Sequence, residues 1–232
     1  MERMQLLSDL GPIAQLRAGR LPRRLVQLYL GLVLYGASLA LLVRAGLGAA
    51  PWDVLHQGLA RHLPMSLGQA IILVSLLVLL LWIPLREVPG LGTVSNALVI
   101  GLAADAMLSL VGPLEDLAVR GVAMVAAVVL NGVATAAYIG AQLGRGPRDG
   151  LMTGLHRRTG LSIRLVRTAL EVTVVVIGLL LGGTAGLGTV LYALAIGPVT
   201  QALLPTFVVA LTAEQSGTHP RAVTCSPPGA QE

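Results

Sequence analysis

The feature that most constrains this chain is a string that occurs twice. Leu47, Gly48, Pro51, Asp53, Leu55, Gly58 and Leu59 recur, 96 positions later, as Leu143, Gly144, Pro147, Asp149, Leu151, Gly154 and Leu155. The same ungapped offset carries Gly36 to Gly132, Arg61 to Arg157 and Ser66 to Ser162. It also carries Gly-Leu-Gly-Thr-Val at 90–94 to the identical residues at 186–190. Apolar composition alone does not align Pro and Asp without a gap. The chain reads as two copies of one unit, and any fold has to be made twice.

Each unit is too apolar for a water-soluble domain. Of 232 residues, 55% are hydrophobic and 12% charged, with a mean hydropathy of +0.80. A soluble domain carries about 25% charged residues. The composition is that of an integral membrane protein with the lipid bilayer as its principal partner. All basic residues are Arg, and they flank apolar runs instead of forming a patch. The basic pI of 10.3 therefore reports loop charge, not nucleic-acid binding. One cysteine, Cys225, excludes a disulfide framework.

Six apolar segments approach the roughly 20 residues that cross the hydrocarbon core. They are 25–43, 67–85, 91–111, 121–143, 161–181 and 187–211. Repeat 1 covers 25–113 and repeat 2 covers 114–211, between a basic cytoplasmic tail at 1–24 and a polar tail at 212–232 expected to be disordered. The recurring string follows the first segment of each repeat. Its helix, about 12 residues long, reaches only about 18 Å at 1.5 Å per residue and falls short of the membrane core. Each repeat then crosses three times, so the second enters from the opposite side. With the N-terminus and C-terminus cytoplasmic, the inner segments carry Arg17, Arg20, Arg23, Arg24, Arg86, Arg145, Arg148, Arg157 and Arg158, and the outer ones only Arg44, Arg61 and Arg120. That bias has the sign expected of a bacterial inner-membrane protein. The predicted fold class is an all-α polytopic membrane protein of six transmembrane helices, arranged as two inverted three-helix repeats, each with a short extra motif helix.

Chemistry-bearing residues inside such a chain are few. Pro51 and Pro147 suit a first helical turn, and Asp53 and Asp149 meet its positive end. They are helix caps, or they mark two short helices that meet at a transport site, with Trp52 and Arg148 beside them. Asp105 sits deep in the third segment and its counterpart is Gln201, so a polar group stands at both positions. A carboxylate there is either a partnered structural group or part of a pathway. Arg164, Arg167 and Glu171 share a helix face, and Arg167 can pair with Glu171. Asn96, Asn131 and Gln142 read as interhelical hydrogen-bonding groups. Paired glycines allow close helix approach. The candidate substrate or ion site is thus Trp52, Asp53, Asp105, Arg148, Asp149 and Gln201.

No catalytic or cofactor pattern is present in the sequence. His56, His62, His156 and His219 form no His-Glu-x-x-His or His/Cys metal set, and His56 and His156 do not hold matching positions. The absence of lysine rules out a Walker-type phosphate loop. The expectation is a non-enzyme with no cofactor and no metal.

The stretch Gly-Leu-Gly-Ala-Ala-Pro-Trp-Asp-Val-Leu-His-Gln-Gly-Leu (46–59), the later Gly-Arg-Gly-Pro-Arg-Asp-Gly-Leu (144–151) and both Gly-Leu-Gly-Thr-Val segments resemble the YczE-type proteins of the YczE/YyaS/YitT group. The resemblance spans about residues 25–210. It implies a polytopic inner-membrane protein of a group often regarded as permeases, with Pro51, Trp52, Asp53, Pro147, Arg148 and Asp149 as signature positions. It supplies no catalytic residues and no substrate. Secondary transport of a small solute is the first functional reading. A membrane scaffold, assembly factor or regulator is the second, and it predicts a sealed core. The two differ on whether the motif helices meet at a solvent-reachable cavity.

Overall fold

A computed structural model describes residues 11–211. The tail at 212–232, expected to be disordered, and the first ten residues of the basic tail lie outside the described residues. Among the described residues all regular structure is helical: α1 (Pro12–Arg17), α2 (Leu21–Ala45), α3 (Pro51–His62), α4 (Leu67–Leu85), α5 (Leu91–Leu110), α6 (Leu117–Gly140), α7 (Pro147–Thr159), α8 (Ile163–Leu180) and α9 (Leu187–Phe207). Helix starts follow local chemistry. Pro51 and Pro147 open the two motif helices. Ser66 and Gln69 close a capping box on α4, and the side chains of Asp116 and Ser162 accept from Val119 and Leu165 N–H at the starts of α6 and α8.

Among the described residues five helices, α2, α4, α5, α6 and α9, are long and apolar enough to cross a membrane. Their outward faces carry Leu76, Leu80, Leu102, Val122 and Leu194, all strongly exposed, which suits a lipid solvent. The 18-residue α8 departs from that group because it carries Arg164, Arg167 and Glu171.

The helix boundaries correct the sequence segmentation. The first long helix starts at Leu21, with Pro22 in its first turn. Arg24, placed in the tail from sequence, is fully buried inside α2. Its Nε donates to Ala141 O at 2.8 Å, and its terminal nitrogens donate to Gln142 O and Gln15 O at 2.6 Å each. It satisfies the orphan carbonyls where α6 ends, so a residue that reads as a flanking charge is a structural tie. The fourth helix is likewise shifted to 117–140 by the Asp116 cap.

Packing partners repeat with the 96-residue offset. At the centre α2 crosses α6, where a Cβ on Gly31 would come within 2.9 Å of Tyr138 N. The α2–α5 pair is matched by α6–α9, and the α3–α8 pair by α7–α4. Each motif helix therefore packs on a helix of the other copy. The loops dock reciprocally as well: Gly92 N–H donates to Leu143 O at 2.7 Å, and Gly188 N–H donates to Leu47 O at 2.8 Å. The glycines before the motif helices, Gly48 and Gly144, hold φ of +122° and +131°, where a side chain is strained. A Cβ on Gly48 would also lie 2.7 Å from Gly186 N. Each copy of the motif string thus docks on the Gly-Leu-Gly-Thr-Val segment of the other repeat.

The motif helices are locked by pairs of opposite size. On α7, Gly150 leaves room for the Trp82 ring of α4, and Trp82 Nε1 donates to Pro147 O at 3.0 Å. At the matching positions, Val54 of α3 meets Gly178 of α8, where a Cβ would lie 2.5 Å from Val54 C. The larger residue stands on opposite helices in the two pairs, Trp82 on α4 in one and Val54 on α3 in the other.

One pair breaks the correspondence. α4 and α5 pack closely, with Gly68 against Gly101 and the Asp105 carboxylate receiving Gly68 N–H at 2.8 Å and the Ser66 hydroxyl. Their counterparts α8 and α9 have no comparable interface. At the matching position Gly68 is replaced by the exposed Arg164, so the glycine-on-backbone contact that joins α4 to α5 has no counterpart.

Candidate functional site

The amino ends of α3 and α7 meet in the interior. Trp52 and Arg148, which hold matching positions, stack on each other with the guanidinium carbon 4.9 Å from the ring centre. Tyr35 of α2 lies within electrostatic reach of Arg148, Asp53 and Asp149. Both motif helices therefore aim their positive ends at one region.

Two cavities flank this junction. The smaller, about 50 Å³, is lined by residues including Ser75, Asn96, Ile100, Pro147, Arg148 and Asp149. The larger, about 220 Å³, includes Trp52, Arg148, Asp149, Arg167, Glu171 and Gln201 in its walls. Offset by 96 positions, Ser75, Asn96, Ile100 and Pro147 of the smaller cavity become Glu171, Tyr192, Ile196 and Pro51, all of which line the larger. The cavities are counterparts, and the second is wider because α8 stands away from α9.

The six sequence candidates divide. Trp52, Arg148, Asp149 and Gln201 line the larger cavity. Asp149 Oδ2 accepts the Tyr138 hydroxyl at 3.0 Å. Burial pushes its carboxyl above the usual value, while the Tyr138 hydroxyl, Arg148, Arg167 and Gly146 N–H pull it back. Asp53 is fully buried behind the cavity wall. Its Oδ1 meets His56 Nδ1 at 2.9 Å, whereas Oδ2 and His56 Nε2 have no partner. Burial lowers the His56 pKa, and the Asp53 hydrogen bond only partly offsets this. Asp105 stands apart and joins α5 to the start of α4 through Ser66 and Gly68. Of the two roles open to Asp105, the structure shows the partnered one.

Tyr35, Tyr138, Tyr192, Thr135 and Thr200 were not singled out from sequence, whereas Asn131 is the interhelical hydrogen-bonding group expected. Tyr192 donates to Asn131 Oδ1 at 2.8 Å, Asn131 Nδ2 donates to Ser38 Oγ at 2.7 Å, and the Tyr35 and Tyr192 hydroxyls lie 3.4 Å apart. This chain backs the larger cavity. A signal existed, because Tyr35 matches Asn131 and Tyr192 matches Asn96 under the offset. Arg167 pairs with Glu171 at 2.9 Å, as their spacing predicts. Thr135 and Thr200 also line the cavity, with buried hydroxyls that have no partner.

The arrangement can hold a small solute among charges of both signs, beside an indole and three phenols. The half-buried Asp149 carboxyl, which desolvation raises above its usual value, is suited to exchange a proton.

Comparison with known proteins places the chain in a lineage. The model of a family of unknown function, DUF6198, matches residues 22–205. An uncharacterized protein of Haemophilus influenzae is 42% identical over 76% of this chain and 81% of its own length. The uncharacterized membrane protein YczE of Bacillus subtilis is 32% identical over 76% of this chain and 83% of its own. The uncharacterized protein YyaS of the same organism is 26% identical over 70% and 83%. No solved structure matches. The matched region takes in both motif helices and both cavities, and by it this chain belongs to the DUF6198 family of YczE-like membrane proteins.

Proposed function

We propose that this protein is a secondary transporter of a small solute in the bacterial inner membrane. In this reading α2, α4, α5, α6, α8 and α9 cross the bilayer as two inverted repeats, with both termini cytoplasmic and α3 and α7 entering without crossing. The charges on α8 are compatible with a span, since Arg167 and Glu171 neutralise each other. The observation that carries the proposal is the 220 Å³ cavity where Trp52 of one copy stacks on Arg148 of the other. A scaffold needs no such cavity, and substrate sites at repeat interfaces beside short helices are a recurring transporter design. Asp149, desolvated and within reach of Arg148 and Arg167, is the proposed proton-coupling group. Trp52, Arg148 and Gln201 shape the substrate site, and Asp53 supports α3 from behind.

The test is uptake into proteoliposomes under an imposed proton gradient, using labelled amino acids, small carboxylates, phosphate and short-chain zwitterionic amphiphiles. Saturable uptake is expected for one class, abolished in Asp149→Asn and reduced at least about tenfold in Arg148→Gln, the scale of a lost charge-assisted contact. Flux of every solute at the level of empty liposomes would sink the transport reading. Full uptake by both variants would sink the site.

A further inference from the structure

The wider cavity is lined by Arg167 and Glu171 of α8 and by Ile196, Thr200 and Gln201 of α9. α8 packs on α3 and α7 but not along α9. The nearest side-chain atom to a Cβ built on Gly197 of α9 is Nη1 of Arg167, 3.9 Å away. At Gly197 the Arg167 guanidinium is thus the group that reaches toward α9, and its Nε is committed to Glu171 Oε1. In the counterpart gap Gly68 and Gly101 seal the helices together. Leu165 and Val172 of α8 and Leu194 of α9 are exposed, apolar surface on both helices that suits a lipid solvent.

Charge sets what can enter. The cavity wall carries two guanidinium groups, Arg148 and Arg167, and two carboxyl groups, Asp149 and Glu171. These sum to zero when all are ionised. A simple anion would meet two carboxylates, and a simple cation two guanidinium groups. A head with both signs matches both pairs and adds no net charge to a poorly solvated site. Arg148 rests on the Trp52 face, and among the described residues its guanidinium forms no ion pair, so its donors are available. The unpartnered Thr135 and Thr200 hydroxyls supply further hydrogen bonds.

We infer that the substrate is a zwitterionic amphiphile, its head carrying a protonated amine and a phosphate or carboxylate, which enters sideways from the bilayer between α8 and α9. The inference rests on the reading of this cavity as the substrate site. Arg148 and Arg167 take the acidic part, Glu171 and Asp149 the amine, and the acyl chain lies in the α8–α9 gap.

Trp52 is a built-in reporter, since the only other tryptophan is Trp82, buried between α4 and α7. The full-length protein in detergent is titrated with phosphatidylethanolamine brominated on its acyl chain, and in parallel with brominated phosphatidylglycerol and phosphatidylcholine. Trp52→Phe supplies the background from Trp82. The expected result is saturable quenching by phosphatidylethanolamine, at least about tenfold tighter than by the other two, the loss expected when charge-assisted hydrogen bonds are missing. Arg167→Ala and Glu171→Gln should remove the preference. Gly197→Leu, which plugs the gap where there is space for a side chain, should block quenching with the charges intact, so the test survives if either charge variant fails to fold.

Equal quenching by all three lipids overturns the inference, as does a preference that survives these substitutions. So does competition by soluble phosphoethanolamine as strong as by the lipid, because the chain would then play no part. A dimer that closes the gap would shield Trp52 from every lipid and overturns it too. Binding needs no flux, so selective quenching without transport would refute only the transport reading, whereas transport of a soluble solute without quenching would refute only this inference.

Discussion

The guanidinium of Arg148 lies 4.9 Å from the centre of the Trp52 ring, and these two residues hold the same place in the two halves of the chain. The amino ends of the motif helices therefore touch through residues of opposite character. A cation on an indole face in a partly buried setting contributes about 0.5–2 kcal/mol. A double-mutant cycle of Trp52→Leu and Arg148→Gln on unfolding in detergent should return a coupling in that range. Additive effects would show that the stacking carries no energy.

The Gly150–Trp82 lock predicts a large effect from a small change. Any Cβ at Gly150 meets the indole ring, and overpacking of this kind costs about 1–3 kcal/mol. Gly150→Val should lower the unfolding midpoint sharply. Adding Trp82→Ala should recover part of the loss, because it recreates the size order found in Val54 and Gly178. A double variant less stable than Gly150→Val alone would refute the lock.

Gly48 and Gly144 should resist substitution for two reasons at once. Both hold positive φ, and a Cβ would collide with Gly186 N in one case and Thr93 Oγ1 in the other. Alanine at either position should cost at least about 1 kcal/mol, read as a lowered thermal midpoint, whereas Gly112→Ala, with open space around it, should be near neutral.

Acid should destabilise the protein through His56. Its folded pKa lies below the ordinary 6.5 because burial disfavours the cation, with Asp53 opposing and Arg148 assisting. The unfolded chain then binds the proton more readily. The His56 contribution is complete above pH 6.5 and is lost as pH falls from there toward the lowered folded value. Asp149 has the opposite sign: its raised pKa favours the folded state at low pH, and this is lost as pH rises through that value. The comparison is therefore between the wild type and His56→Gln. The variant should lose less stability between pH 7 and pH 5 in thermal scans; identical slopes would refute the assignment.

Asp105 should behave as a structural group. Asp105→Ala removes the acceptor for Ser66 and Gly68 and should destabilise by about 1–3 kcal/mol, leaving phosphatidylethanolamine quenching of Trp52 unchanged in the folded fraction.

The sequence by itself determined the membrane class, the internal duplication and the short motif helices. These depend on composition, on matching positions and on local rules such as Pro51 and Pro147 at helix starts, all of which act over a few residues. It also indicated Arg167–Glu171, an i to i+4 pair. It did not separate Asp53 from Asp149, because the two stand at matching places and differ only in surroundings: His56 for one, Tyr138 and a cavity for the other. Nor did it show that Asp105 joins two helices, or that Arg24 belongs to the interior. Those outcomes depend on which helix faces which, and helix faces in lipid are chosen by close fit between distant residues. The unequal cavities were decided the same way. Arg164 replaces Gly68 in the sequence, but only the packed bundle shows that α8 stands away from α9 and that one of two otherwise corresponding sites is wider.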